Sequence, residues 1–259
     1  VMNEDCLIEL GAAFLDDVQL YIPQRDDTDD SGWLIKTGGD QHPVNQREIA
    51  YPNPVFSIPA GTEGYIYMRI ESRGPVSIPV RLWGLKDFAQ QNTRTQFGYG
   101  MYYATMLAMV IYNLFLFFGI RDISYIYYVG YLSMMVAFQA AFYGHLQLYA
   151  WPTDLAIYNP LSVTTLCLCI CLGVSFAMNI SDASRLAPRL SRLCTGLIIV
   201  VLLYAAALQP WYGELNPVIP WISVVAIILI VHTLVTCSLA GSRSARFCLL
   251  AFACIVPGG

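Results

Sequence analysis

The stretch FGYGMYYATMLAMVIYNLFLFFGI, residues 97–120, carries no charged side chain. At about 1.5 Å per residue it reaches across the roughly 30 Å of a bilayer's hydrocarbon core, whereas a soluble core helix is usually shorter and keeps a polar face. It predicts a transmembrane helix, and the rest of the chain sorts itself around it. Further apolar stretches lie at residues 124–146, 157–178, 193–208 and 218–240, and a sixth opens near Phe247. Each of the four complete ones is long enough, or nearly so, to cross.

Charge separates this part from what precedes it. Eight of the 14 basic and 14 of the 18 acidic residues lie before Phe97, a net charge of −6 for that segment against −4 for the chain. The first third therefore reads as a soluble module and the remainder as lipid-embedded. An acidic module lacks the basic surface that nucleic-acid binding requires. Of eight cysteines only Cys6 precedes the membrane region, so no disulfide framework forms inside the soluble module. Cys167, Cys169 and Cys171 sit at spacing two on one apolar helix, which scatters them around it as small buried residues in place of aiming them at one metal. The chain starts at Val1 without a signal peptide and stops at Pro257-Gly258-Gly259 within the sixth apolar segment, the pattern expected of an internal piece of a longer protein.

Within residues 1–86 six short runs alternate apolar and polar side chains: 6–10, 18–22, 33–37, 54–58, 65–72 and 76–83. A period of two, punctuated by turns such as Gly38-Gly39-Asp40 and Pro59-Ala60-Gly61, predicts an antiparallel β-sandwich. Pro79 cannot donate to a ladder, so the last strand is expected at an edge or with a bulge. Six strands are few for a closed sandwich, and N-terminal strands outside the chain are expected to complete it.

Two loops carry candidate chemistry. Asp26, Asp27, Asp29 and Asp30 crowd five positions, a density that suits hard oxygen ligands for calcium and equally suits a solvated turn. The spacing lacks the glycine and distal glutamate of an EF-hand loop. The second loop, TGGDQHPVNQREI, places Asp40, His42 and Arg47 beside Trp33 and Tyr51. Polar groups next to aromatic platforms suit a sugar or another small polar ligand; alternatively, Asp40 and Arg47 pair with each other and fix the loop.

Loop charges set the orientation. Arg121 falls in the first connection, Arg185, Arg189 and Arg192 in the third, and Arg243 with Arg246 in the fifth, while the second and fourth hold no Lys or Arg. The positive-inside rule puts the odd connections in the cytoplasm and the soluble module outside. Tyr99, Tyr102 and Tyr103 at one end of the first helix, and Tyr125, Tyr127 and Tyr128 at the start of the second, are the aromatic anchors that interfaces favour. The spans contain no Asp, Glu, Lys or Arg, which argues against an ion-coupled transport cycle, and no lysine follows Lys86 to form a retinal Schiff base. His232 and Asn113 are expected to hydrogen-bond between helices.

In order and spacing, VQLYIP (18–23), the TGGDQHP loop with Arg47, PVFSIP (54–59), YIYMRIESRGPVSIPVRLW (65–83), YNLFLFFGIRDISYIYYVGY (112–131) and Gly144 followed by Trp151-Pro152 resemble one family. These are the bacterial seven-transmembrane receptors with diverse intracellular signalling modules, preceded by their type 2 extracellular domain. The resemblance covers nearly the whole chain. It implies a jelly-roll-like sandwich, incomplete here, followed by an all-α polytopic membrane helix bundle. The implied organisation is a periplasmic sensor domain at 1–86, a connector at 87–96 and a bundle at 97–259 truncated in its sixth helix. It further implies a sensory receptor of the bacterial inner membrane that binds carbohydrate or a similar small ligand, and a cytoplasmic output module such as a histidine kinase of a two-component system or a diguanylate cyclase. In some relatives acidic residues of the periplasmic domain respond to calcium. Any catalytic output lies beyond residue 259, so the chain itself is not expected to be an enzyme, and receptors of this kind often work as homodimers.

The mechanism expected is a ligand-driven shift of the sandwich relative to the first helix through GLKDFAQQNTRTQ (84–96), as a stiff lever or a flexible tether. The rival from another class is a transporter or channel component with an extracytoplasmic carbohydrate-binding module. A membrane-anchored hydrolase is disfavoured, since no Ser/His/Asp arrangement, zinc-ligand spacing or clear carboxylate pair is present.

Overall fold

The computed structural model describes residues 4–13, 15–24, 32–72, 78–150 and 155–255. The alternating runs become six strands: β1 (Cys6–Leu10), β2 (Asp17–Pro23), β3 (Trp33–Gly38), β4 (Val55–Ile58), β5 (Tyr67–Glu71) and β6 (Val80–Gly84). They pair antiparallel in two three-stranded sheets, β4-β1-β6 and β3-β2-β5. Val18, Leu20 and Ile22 of β2 point one way and meet Leu10, Phe56 and Ile58 of the other sheet in the core between them. Burying each such side chain contributes about 1.5–3 kcal/mol, which locks the register because a one-residue slip would turn all three outward.

Strand β1 is buried on both faces. Leu7 turns away from that core and joins Tyr51, Val55 and Phe88, the last from the helix that follows β6. β6 lies at the edge of its sheet, as Pro79 led us to expect, and the Pro79 carbonyl accepts the Gly11 amide at 2.9 Å.

The helices are α1 (Leu85–Ile120), α2 (Ile123–Phe142), the short α3 (His145–Tyr149), α4 (Leu155–Ile180), the short α5 (Ala183–Leu186), α6 (Pro188–Leu215), α7 (Ile219–Leu239) and α8 (Arg243–Ile255). Among the described residues five helices are long and apolar enough to cross a membrane, starting at Leu85, Ile123, Pro160, Pro188 and Ile219. α1 starts directly after β6, twelve residues before the apolar stretch: no proline or glycine interrupts residues 85–96, and Leu85, Lys86, Ala89, Gln90, Gln91 and Arg94 favour helix. The second apolar run divides at Gly144, whose φ of +75° ends one helix and opens α3.

The chain forms two compact units. One comprises Val1–Tyr103 with Gln139–Ser162, the other Ala104–Phe138 with Val163–Gly259. In the second, Cys167 and Cys171 of α4 pack with Val201 and Leu208 of α6 and with Ile219 of α7. Cys169 faces the other way, its Sγ 3.9 Å from the Tyr131 carbonyl and from Met135 Sδ on α2. Asn113 donates to the Met109 carbonyl of its own helix at 2.8 Å, where a bond to a neighbouring helix was expected, and His232 is exposed. A short polar side chain reaches the carbonyl one turn back more readily than it crosses to another helix.

The three arginine-bearing connections lie together at one end of this unit. Asp122, Asp182 and Ser244, one from each, wall a recess of about 620 Å3. Ala183 and Ala187 of the third pack against Leu234, Cys237 and Ala245 around the fifth. Asp122 caps α2 by accepting the Ser124 amide at 2.8 Å.

Candidate functional site

In the first unit the loop after β3 is built on one glycine. Gly39 has φ +127°, and a Cβ there would lie 2.5 Å from the Asp16 carbonyl oxygen and 2.9 Å from that of Leu15. The close approach lets the Asp40 amide donate to Leu15 O at 2.7 Å. Beyond it, His42 Nε2 lies 2.6 Å from Asp17 Oδ1, and a 3-10 turn (Val44–Gln46) delivers Arg47 back across the loop.

Arg47 uses its fan of donors on acceptors of the chain. Nη2 donates to Gly39 O at 2.8 Å, to His42 O at 3.2 Å and to Gln147 Oε1 at 2.8 Å, while Nη1 reaches Tyr51 O at 3.3 Å. Gln147, on α3, is 1% exposed and returns a bond from Nε2 to the Asp40 carbonyl at 3.2 Å. The amide thus accepts from one side of the loop and donates to the other, joining the β-module to the segment between α2 and α4. Gly144 allows this approach: a Cβ there would sit 3.1 Å from Pro52 O and 3.3 Å from Ala13 Cβ.

Electrostatics at the loop are unusual. Burial and then the charge of Asp16 push the Asp40 carboxyl from an ordinary 3.8 up to about 7, against the lowering pull of Arg47. One of its oxygens, Oδ1, is sealed from solvent without a hydrogen-bond partner. Glu48 behaves oppositely: burial alone would raise its carboxyl, but bonds from Lys36 and Ser57 prevail and hold it below its usual value. Lys36 Nζ, from one sheet, contacts Glu48 Oε1 at 2.8 Å and Ser57 Oγ, from the other, at 2.7 Å.

The tyrosines at the start of α1's apolar stretch gather around α3. Tyr99 lies with its ring centroid 4.5 Å from His145 and 5.3 Å from Tyr143, and Tyr103 Oη is 3.3 Å from His145 Nδ1. Tyr102 donates to Gln139.

A family model described as 7TM diverse intracellular signalling matches residues 95–259, and one described as 7TMR-DISM extracellular 2 matches residues 2–84. The chain belongs to the 7TM diverse intracellular signalling family. It is a multi-pass membrane receptor with an extracellular N-terminal module. Neither a curated protein nor a solved structure matches it. An extracellular β-module agrees with the arginine-rich connections being cytoplasmic, since the positive-inside rule assigns those ends to the interior.

For this 7TM diverse intracellular signalling receptor, the structure brings Asp40, His42 and Arg47 together in one loop, with the Tyr51 carbonyl tied to the Arg47 guanidinium. The Tyr51 ring turns into the cluster with Phe88 at 5.2 Å, and burial, then Glu9's charge, pushes its phenol up to about 12. Trp33 stands at the opposite end of β3, roughly 17 Å away by strand rise, edge-on to Tyr67 at 5.5 Å. Asp26, Asp27, Asp29 and Asp30 lie outside the described residues. Among the described residues no group of three or more His, Cys, Asp or Glu could hold a metal ion.

Sequence reasoning missed Gln147, His145 and Glu9. Glu9 is 4% exposed and accepts from Asn53 Nδ2 at 2.8 Å and Trp83 Nε1 at 2.7 Å. Its one available signal was position: a carboxylate in the apolar run CLIEL must find donors once buried. Gln147 and His145 gave no local signal, because their partners are at least 40 residues away in the chain.

Proposed function

We propose that this chain is the sensing and membrane part of a bacterial inner-membrane receptor that binds a small periplasmic ligand of carbohydrate type. It passes the bound state to a cytoplasmic output module of the histidine kinase or diguanylate cyclase class in the full-length protein, as a homodimer. The observation that carries this reading is the reciprocal hydrogen bonding between Gln147 and the loop held by Arg47, at 2.8 Å and 3.2 Å. A change of loop shape on binding must break or keep those two bonds, and so biases the arrangement of the segment between α2 and α4. The ligand shifts that equilibrium only by its differential affinity for the two arrangements.

The test is made on the full-length receptor in membranes, reading phosphoryl transfer or cyclic dinucleotide synthesis against ligand. Arg47→Leu and Gln147→Leu are each expected to abolish the ligand response while the protein still inserts. An unchanged response in both would overturn the coupling.

A further inference from the structure

A recess of about 260 Å3 opens in the first unit between the edge of the β4-β1-β6 sheet, the start of α1 and the α2–α3 corner. Its strand wall holds Glu9 and Arg81, which face each other in register on β1 and β6. Its helix wall holds Gln91, Thr95 and Tyr99, and its far wall Tyr143 and His145. We propose that this recess binds an uncharged, hydroxylated ring of monosaccharide size; the proposal rests on reading the extracellular module as a small-ligand receptor and gives it a site.

Three observations carry it. His145 is 6% exposed, and its Nε2 is buried without a hydrogen-bond partner, so a group seated in the recess supplies the missing one. The Nδ1 atom faces Tyr103 Oη at 3.3 Å. When the phenol donates, Nε2 carries the proton and needs an acceptor; in the other tautomer it needs a donor. A hydroxyl answers both, whereas a carboxylate only accepts and an ammonium only donates.

The second observation is charge balance. Glu9 has an oxygen engaged by Asn53 and the other by Trp83, Arg81 stands opposite it, and burial lowers the pKa of His145 and so favours its neutral form. The Glu9 and Arg81 wall is neutral in sum, so a charged ligand meets a like charge there as well as an opposite one, and burying it is costly. The third is shape. Tyr99 and Tyr143 present ring surface for the apolar face of a sugar, and the volume falls just below the roughly 300–1,000 Å3 of pockets for drug-sized ligands. Because the walls come from the sheet edge, α1 and the α2–α3 corner, an occupant favours the arrangement in which all three are together.

The experiment is calorimetry on the full-length receptor in nanodiscs with D-glucose, D-galactose, D-mannose, D-ribose, myo-inositol and, as the charged counterpart, D-glucuronate. At least one neutral compound is expected to bind saturably, and D-glucuronate roughly tenfold more weakly or worse. His145→Phe keeps a ring and removes both nitrogens; Gln91→Trp fills the recess from a half-buried helix position and serves should the buried variant fail to fold. Each is expected to weaken binding by roughly tenfold or more. Saturable binding unaltered in the folded variants would overturn the recess while leaving the receptor reading standing. Tighter binding of D-glucuronate, or saturable binding by none of the panel, would overturn the ligand class, and the receptor reading then rests on the Arg47 and Gln147 variants.

Discussion

At the scale of single residues, the loop after β3 concentrates the strongest dependencies. Gly39 has no substitute: alanine would meet two backbone carbonyls and an unfavourable φ together. Gly39→Ala is expected to lower stability by about 2 kcal/mol or more, read as a drop in thermal midpoint in detergent. Asp40 gives a pH signature. Its folded pKa of about 7 exceeds the ordinary 3.8, so between those values the folded state holds a proton that the unfolded state has lost. Stability from this group therefore falls as pH rises from about 4 to 7 and is level above that. Asp40→Asn is expected to flatten the decline, in thermal melts at pH 5, 6 and 8; an identical slope in the variant would refute the assignment. Glu48 has the opposite sign. Its carboxyl is held low by Lys36 and Ser57, so its contribution is present above the ordinary carboxylate range and lost as pH falls through its lowered pKa. The two contributions slope in opposite directions with pH, so one titration of stability distinguishes them.

At the scale of elements, α1 is the decisive piece. Its 36 residues span roughly 54 Å at about 1.5 Å per residue, nearly twice a bilayer core, so about a third of it continues outside the apolar stretch. Residues 84–96 left a stiff lever and a flexible tether open. The helix runs on from Leu85, with Phe88 buried against Leu7, Tyr51 and Val55, so the connector is helical, and a glycine insertion tests its action as a lever. Two glycines inserted after Asn92 should break that continuity, each helical glycine alone costing about 1 kcal/mol. The expected outcome in the full-length receptor is output held at the ligand-free level; intact signalling would show that α1 carries no part of the message. The strands were easier to foresee than this helix start, since period-two alternation marks all six runs, while residues 85–96 hold only Leu85, Phe88 and Ala89 among polar side chains and resemble a polar linker.

At the scale of the whole molecule, orientation is the property on which function depends. The arginines near one end of the membrane unit agree with the extracellular match of residues 2–84. Single cysteines placed at Thr62, in an exposed turn of the β-module, and at Ser184, beside Arg185, should differ in reaction with a membrane-impermeant thiol reagent on intact cells. Labelling at residue 62 and none at 184 is expected, in a background with Cys6 and Cys248 replaced, these two being half-buried where the described spanning cysteines are sealed. The reverse pattern would invert the receptor.

What the amino-acid sequence settled by itself was class and direction: uncharged runs long enough for a bilayer, alternating runs too short for anything but strands, and arginines confined to alternate connections. Those are local or additive properties, and each is decided by solvent: hydrocarbon rejects charge, and a pleated strand shows its two faces to two environments. Only the tertiary structure decided which polar groups meet. Arg47 and Gln147 are 100 residues apart and Glu9 and Trp83 are 74 apart, and no spacing rule connects them. Such pairs form because a buried polar group must find its partners inside the fold, and which ones it reaches depends on how the sheet, α1 and the α2–α3 corner come together.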